Sequence, residues 1–298
     1  MQTREQQGSR LMGWGFVGPA LLVLLAMNLF PLIFSVYLSF TNADLSGGVV
    51  KAVGARNYTV LFAEARYGNA LTTTALFVLC SVSIELVLGF TLALALRDGL
   101  PGKSAVLTVL LIPMMLCPVV LSLFWNLILN GHYGVLNQVL AALHLPQPQW
   151  LTQDDLKFVS ILMVDVWMWT PFMMLISLAG LNAIPKHIYE AAEIDRAGRF
   201  MVFRTITLPM CAPLLGLAAL LRATDALKQF DLVMALTGPN DPTTQTISAR
   251  IYQVVFRDYK VGLGAAYGVV ILVAVIAVAT LFVRYIDSLN QKTGKVEA

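Results

Sequence analysis

Charge is what this sequence has least of. Only 12% of its 298 residues are Asp, Glu, Lys or Arg, while 58% are hydrophobic. Soluble domains carry about 25% charged residues, so this chain lacks the polar surface to cover a globule and needs lipid as solvent. The net charge is only +3, and the basic residues lie beside apolar runs rather than in a stripe. Nucleic acid is therefore not an expected partner. Cysteine and histidine are scarce too. Cys80, Cys117 and Cys211 sit in or beside apolar runs without C-x-x-C spacing, and His132, His144 and His187 are scattered. Neither a metal site nor a disulfide framework is suggested, and the cysteines read as small apolar packing residues.

Catalytic signatures are also missing. The sequence contains no H-E-x-x-H and no G-x-S-x-G. An enzyme would have to assemble its acid, base or nucleophile from scattered residues, so none is expected. Gly13–Gly18 fits G-x-G-x-x-G, but no strand precedes it and an apolar run follows, whereas the dinucleotide fingerprint needs a strand–turn–helix setting. Gly102-Lys103-Ser104 matches the end of a P-loop, yet Arg97 stands where its first glycine should be. The chain is expected to bind no nucleotide or other cofactor itself.

What is present is a series of long apolar runs. A helix needs about 20 residues to cross about 30 Å of hydrocarbon. Six stretches reach or approach that length: Trp14–Phe40, Leu71–Leu96, Ala105–Leu129, Phe158–Leu181, Met210–Leu236 and Gly264–Tyr285. The first follows Arg4 and Arg10 like a signal peptide, but it is too long and has no small-residue cleavage site. It reads as an uncleaved span. The expected plan is all-α and integral to the membrane: a segment 1–13, a membrane domain 14–285 that includes a polar loop 182–209, and a tail 286–298. No internal repeat stands out.

Lys and Arg set the expected orientation. Arg97 and Lys103 flank a short loop; Lys186, Arg196, Arg199 and Arg204 load the 182–209 segment; Arg284, Lys292 and Lys295 load the tail. Residues 130–156 carry neither Lys nor Arg. The positive-inside rule then places both termini and the 182–209 loop in the cytoplasm. Lys51, Arg56 and Arg66, and Arg250, Arg257 and Lys260, run against it in longer loops, where the rule is weaker. On the other side, Val135–Leu145 spaces its apolar residues as an amphipathic interfacial helix, followed by Pro146, Pro148 and Trp150.

Polar residues inside these runs mark candidate sites. Arg222, Asp225, Lys228 and Asp231 alternate in sign at intervals of three, and on a helix such residues are neighbours. Intramembrane charges usually face a bundle interior or an aqueous path. Two readings stand: a polar wall of a translocation path, or an ion-pair network locking helices together. Glu85 and Asp165 are similar single cases. Trp167 and Trp169 beside Asp165 suit a sugar-holding site, but an aromatic belt or simple packing would use the same residues and is the preferred reading.

The 182–209 segment reads as a helix that Pro185 opens and Pro209 ends or kinks. It contains Glu190, Ala191 and Ala192, then Ile206, Leu208 and Pro209. That spacing resembles the EAA loop of membrane subunits in bacterial binding-protein-dependent ABC importers. The family's pattern has glycine where this chain has Arg196, with Gly198 two residues later, so the tight turn of that loop is expected to be disturbed or displaced. Tyr37–Thr41, Gly54–Tyr58, Tyr133–Asn137, Asp165–Phe172, Phe230-Asp231 and Leu236–Pro239 also resemble carbohydrate-type permeases. The nearest likeness is to one member of a permease pair in maltose, trehalose and glycerol-phosphate importers.

The resemblance implies the six-helix type I importer permease fold, in the bacterial cytoplasmic (inner) membrane, with a cytoplasmic coupling helix. It implies that Glu190, Ala191, Ala192, Ile194, Asp195, Arg196, Gly198, Phe203 and Pro209 couple the chain to an ATPase. The translocation-path candidates are Arg222, Asp225, Lys228, Asp231, Asp165, Trp167, Trp169 and Glu85. The implied partners are a second permease, two ATPase subunits that bind ATP and Mg, an extracytoplasmic solute-binding protein, and a sugar. A secondary transporter driven by an ion gradient is the alternative. It would favour midplane carboxylates and repeat symmetry, and it leaves the polar loop unexplained.

Overall fold

The computed structural model describes the backbone of residues 2–97 and 101–294 and the side chains of 17–97 and 101–284. Within it run α1 (Gln2–Ser39), α2 (Arg56–Ala63), α3 (Ala65–Arg97), α4 (Lys103–Met115), α5 (Pro118–Ile128), α6 (Val135–Ala142) and α7 (Asp154–Ala183). Then come α8 (Lys186–Ile194), α9 (Arg199–Val202), α10 (Leu208–Ala226), α11 (Asp231–Leu236), α12 (Ile247–Tyr252) and α13 (Val261–Gly294). Wide π turns stand at Phe203–Thr207 and Gln253–Arg257. An isolated Thr41–Ala52 bridge is the one β pairing among the described residues. Helices dominate because lipid cannot satisfy free backbone N–H and C=O groups.

Five stretches are long and apolar enough to cross a bilayer: Val17–Ser39, Ala65–Arg97, Asp154–Ala183, Arg199–Ala226 and Val261–Arg284. The sixth expected span, 105–129, is broken. Its halves α4 and α5 are bent by 96°, with Leu116 and Cys117 extended between them. Pro118 is the cause, since proline disfavours the helical region for the residue before it. The fifth span also differs from the 210–236 expected. It begins at Arg199 and ends at Ala226. Pro209 does not end it, because the π turn just before takes up the missing hydrogen bond and the bulk of the ring.

The N-terminal residues 2–13, expected as a separate segment, continue the first helix. The tail, expected to start at 286, is helical to Gly294. Parts of the Arg97–Lys103 loop (98–100) and of the tail (295–298), and the Trp14 and Tyr285 side chains at the expected span ends, lie outside the described residues.

The chain divides into two compact units, one of residues up to Glu64 with Val254–Ile271, the other of Ala65–Gln253 with residues from Leu272 onward. In the first, Asn57 Nδ2 donates to the carbonyls of Ser39 and Thr41 at 2.8 Å each. Tyr58 hydroxyl meets Ser39 Oγ at 2.7 Å, so α2 is pinned to the end of α1. None of the apolar window of Val17–Ser39 is buried within the chain, which suits a surface facing lipid.

The second unit packs around α3, α7 and α10. One apolar cluster gathers Phe77, Leu121, Ile161, Val164, Met168, Ala226 and Leu232; another gathers Phe90, Ala93, Met174, Leu178, Cys211 and Leu215. Helices α3 and α7 pack tightly at Gly89, where an added Cβ would stand 2.6 Å from Met173 Cβ and 2.7 Å from the Met174 nitrogen. Small residues let helix backbones approach this way inside membranes. In the connections, Trp150 Nε1 donates to Asn137 Oδ1 at 2.8 Å, closing the segment after α6. Lys157 Nζ bridges Asp154 at 2.8 Å and Asp241 at 2.6 Å, tying the 237–246 loop to the start of α7. Burial works to raise the Asp241 carboxyl, but hydrogen bonds from Lys157 and Thr243 outweigh it and hold it below its ordinary value.

Candidate functional site

Between the two apolar clusters lies a buried ion network. Arg222 of α10 is 2% exposed, and Glu85 of α3 and Asp165 of α7 are fully buried. Arg222 Nε donates to Glu85 Oε2 at 2.9 Å and Nη2 donates to Glu85 Oε1 at 3.1 Å. Nη2 also donates to Asp165 Oδ2. One guanidinium therefore joins three helices, using the fork geometry that lysine lacks. Gln229 Nε2 donates to the other oxygen of Asp165 at 3.0 Å, and the Trp169 ring lies 5.2 Å from the guanidinium carbon.

Of the charged ladder read along residues 222–231, only the first three members are arranged as spaced. Arg222 lies 3.7 Å from Asp225, and Asp225 lies 3.8 Å from Lys228, the last two being exposed. Asp231 is not on that helix; it starts α11 after a break. The break is held by one tertiary and one local bond: Thr246 Oγ1 donates to the Gln229 carbonyl at 2.8 Å, and the Gln229 side chain accepts from the adjacent Phe230 N–H at 3.0 Å. Glu85 and Asp165, read as isolated carboxylates, are both partners of Arg222. Trp169 follows Asp165 by one helical turn and shares its side, whereas Trp167 points away, 44% exposed, with its ring edge-on to Trp125 at 5.4 Å. Gln229 escaped the sequence reading, although it adjoins Lys228 at the end of the apolar run.

The 182–209 segment is a two-helix loop. Helix α8 carries Glu190 and Ala191 exposed and Ala192 buried, and Ile194 is 82% exposed. It ends at Asp195 with Arg196 left-handed, at φ 53°. Ala197 N–H donates to Ala192 O at 2.9 Å and Arg196 N–H donates to Glu193 O at 3.0 Å. This is the Schellman ending, whose left-handed position is usually glycine. The tight turn is thus neither lost nor displaced: Arg196 adopts it, while Gly198 has an ordinary φ of −65°. Phe200 is 74% and Met201 61% exposed. Phe203 turns inward, its ring 6.1 Å from that of Phe90. Pro209 lies exposed in the first turn of α10.

A side chain with a Cβ costs about 1–2 kcal/mol in the left-handed region. Arg196→Gly is therefore expected to stabilise the loop by about 1 kcal/mol, read as slower proteolysis at residues 195–198 in detergent. Unchanged or faster cleavage would show that the Arg196 side chain offsets its backbone strain elsewhere.

Residues 85–292 match the family model described as the inner membrane component of binding-protein-dependent transport systems. The trehalose/maltose transport system permease protein MalF of Thermococcus litoralis is 34% identical over 276 residues, 92% of each chain. The trehalose transport system permease protein SugA of Mycobacterium tuberculosis is 32% identical, covering 95% of this chain and 91% of that one. A chain in the crystal structure of a bacterial ABC transporter importing the acidic polysaccharide alginate matches with a TM-score of 0.84. The match covers 97% of this chain and 99% of that one at 20% identity, and it speaks for the fold alone. The interrupted third span, the Arg222 junction and the two-helix loop are thus features of a multi-pass membrane protein that belongs to the family of inner membrane components of binding-protein-dependent transport systems.

Proposed function

We propose that this chain is one permease subunit of an ATP-driven carbohydrate importer and forms half of its translocation path. The observation that carries the reading is the 182–209 loop. It presents Glu190 and Ala191 beside exposed Ile194, Phe200 and Met201, a polar and apolar surface suited to a protein partner rather than to lipid alone. A sugar is the cargo favoured by the names of the trehalose and maltose relatives. A second permease completes the path, two ATPase subunits bind ATP and Mg, and a solute-binding protein delivers sugar from outside. Both termini and the loop face the cytoplasm, following the positive-inside bias.

The geometry supports this coupling role. Phe203 packs on Phe90, and the loop runs without a break into the helix that carries Arg222. Closure of the ATPases displaces Glu190–Phe203, and the bundle shifts between two states that the ATPases and the binding protein favour differently. Asp225, Lys228 and Trp167, which are exposed, are the candidates to line the path. Glu85, Asp165, Arg222 and Trp169 hold the helices that carry them, and Asp231 opens the helix beyond the break. The chain catalyses no reaction of its own.

The test is uptake of labelled trehalose or maltose by proteoliposomes holding the complete complex. Uptake is expected to require ATP, to be blocked by vanadate, and to fall at least about tenfold in Glu190→Lys, a loss of about 1.4 kcal/mol or more in coupling, with the ATPase no longer co-purifying. Ionophore-sensitive uptake without ATP would instead establish the ion-gradient alternative, which family membership leaves without support.

A further inference from the structure

Where the end of α3 meets α8, α9 and the Phe203–Thr207 turn, the chain forms an open pocket of about 640 Å³. Its polar side is made by Arg97, Arg199, Tyr189 and Thr207, and its apolar side by Leu94, Val202 and Phe203. The Arg97 guanidinium lies over the Tyr189 ring, 4.1 Å from its centre. The Tyr189 hydroxyl is shared with Thr207 Oγ1 at 3.1 Å. Stacking on the ring leaves the guanidinium N–H groups at its edge available as donors. Among the described residues no carboxylate pairs with Arg97 or Arg199. Glu193 also lines the pocket, so the described residues that line it carry one positive charge in excess.

The place of the pocket, at the ends of two apolar helices, indicates what it holds. Arg97 is the last residue of the span Ala65–Arg97, and Arg199 is the first residue of the span Arg199–Ala226. Both arginines thus terminate membrane-crossing helices, and long basic side chains at such ends reach toward the headgroup region. Basic pockets between such helices recognise anionic headgroups, and the apolar wall offers contact to the glycerol and first acyl carbons.

We propose that this pocket seats the phosphodiester of an anionic phospholipid, held by Arg97 and Arg199. The bound lipid bridges α8, through Tyr189 stacked on Arg97, to the start of α9 at Arg199. It braces the two halves of the 182–209 loop against the membrane surface. The lipid is thus a ligand that sets how freely this loop moves. The inference rests only on the chain being a membrane protein, not on its ATPase or sugar.

The experiment is native mass spectrometry of the full chain, delipidated in detergent and titrated with dioleoyl-phosphatidylglycerol or dioleoyl-phosphatidylcholine. One phosphatidylglycerol is expected to stay bound where phosphatidylcholine does not. Arg97→Gln with Arg199→Gln is expected to weaken it by about tenfold or more. Arg199→Gln alone, at an exposed position that leaves packing intact, should weaken it severalfold. Glu193→Gln should tighten it, and Arg204→Gln, outside the pocket, should leave it unchanged. Equal retention of the two lipids, or equal binding by wild type and the double variant, would overturn the proposal. Displacement of the lipid by soluble glycerol 3-phosphate would overturn it too, assigning the pocket to free phosphate.

Discussion

Arg222→Ala is expected to destabilise the protein by about 3–5 kcal/mol, because it strands two carboxylates in an interior that cannot solvate them. Glu85 and Asp165 have no exposure of their own, and Gln229 reaches only one oxygen of Asp165. Arg222→Lys should lose less but still fail to replace the wild type, since an ammonium cannot reproduce the fork that reaches both acids. The informative variant is the neutral triple Glu85→Gln, Asp165→Asn, Arg222→Gln. With no buried charge left to compensate, it should recover most of the lost stability. Thermal unfolding of the membrane-extracted chain reads this directly. A triple variant no more stable than Arg222→Ala would show that the fold depends on the charges themselves. Uptake by the same triple separates the two roles of the cluster: recovery of fold without transport places it on the path, while recovery of both makes it a lock between helices.

The second large effect is expected at Gly89. A methyl group there would overlap Met173 Cβ and the backbone nitrogen of Met174, and backbone cannot rotate aside as a side chain can. Gly89→Ala should cost about 1–3 kcal/mol through overpacking, and Gly89→Leu more. Gly180 supplies the control. A Cβ there would meet only Leu214 and Cys211 side chains, at 3.5–3.6 Å, an ordinary contact, so Gly180→Ala should leave the melting temperature nearly unchanged. Because Gly89 follows Glu85 by one turn on α3, separating α3 from α7 there would also strain the Glu85–Arg222–Asp165 junction. Equal melting for Gly89→Ala and Gly180→Ala would mean that α3 and α7 are farther apart in the membrane than these distances imply.

Parts of this arrangement were readable along the chain. Pro118 sits inside the third apolar run, and weighing it against hydropathy would have exposed the break between α4 and α5. The loop was legible because Glu190–Ala192 and Ile206–Pro209 are local patterns of residue type and spacing. The conformation of Arg196 was not, since few residues but glycine take a left-handed φ readily and nothing local announces an exception. The partners of Arg222 were equally hidden: Glu85 is 137 positions away and Asp165 is 57. Trp169 was separated from Trp167 by the rotation of α7, not by any difference in residue type.

The sequence by itself determined that this chain lives in lipid, roughly where it crosses, and which loop stands apart as polar and charged. Those properties depend on apolar length and local residue pattern, and both are written contiguously. Tertiary structure decided that the fifth crossing stops at Ala226, that Asp231 leaves the charged ladder, and that one arginine ties together α3, α7 and α10. A polar group in an apolar interior must find a partner. Which partner it finds depends on how three separate helices are rotated toward one another, and no single stretch of sequence carries that information.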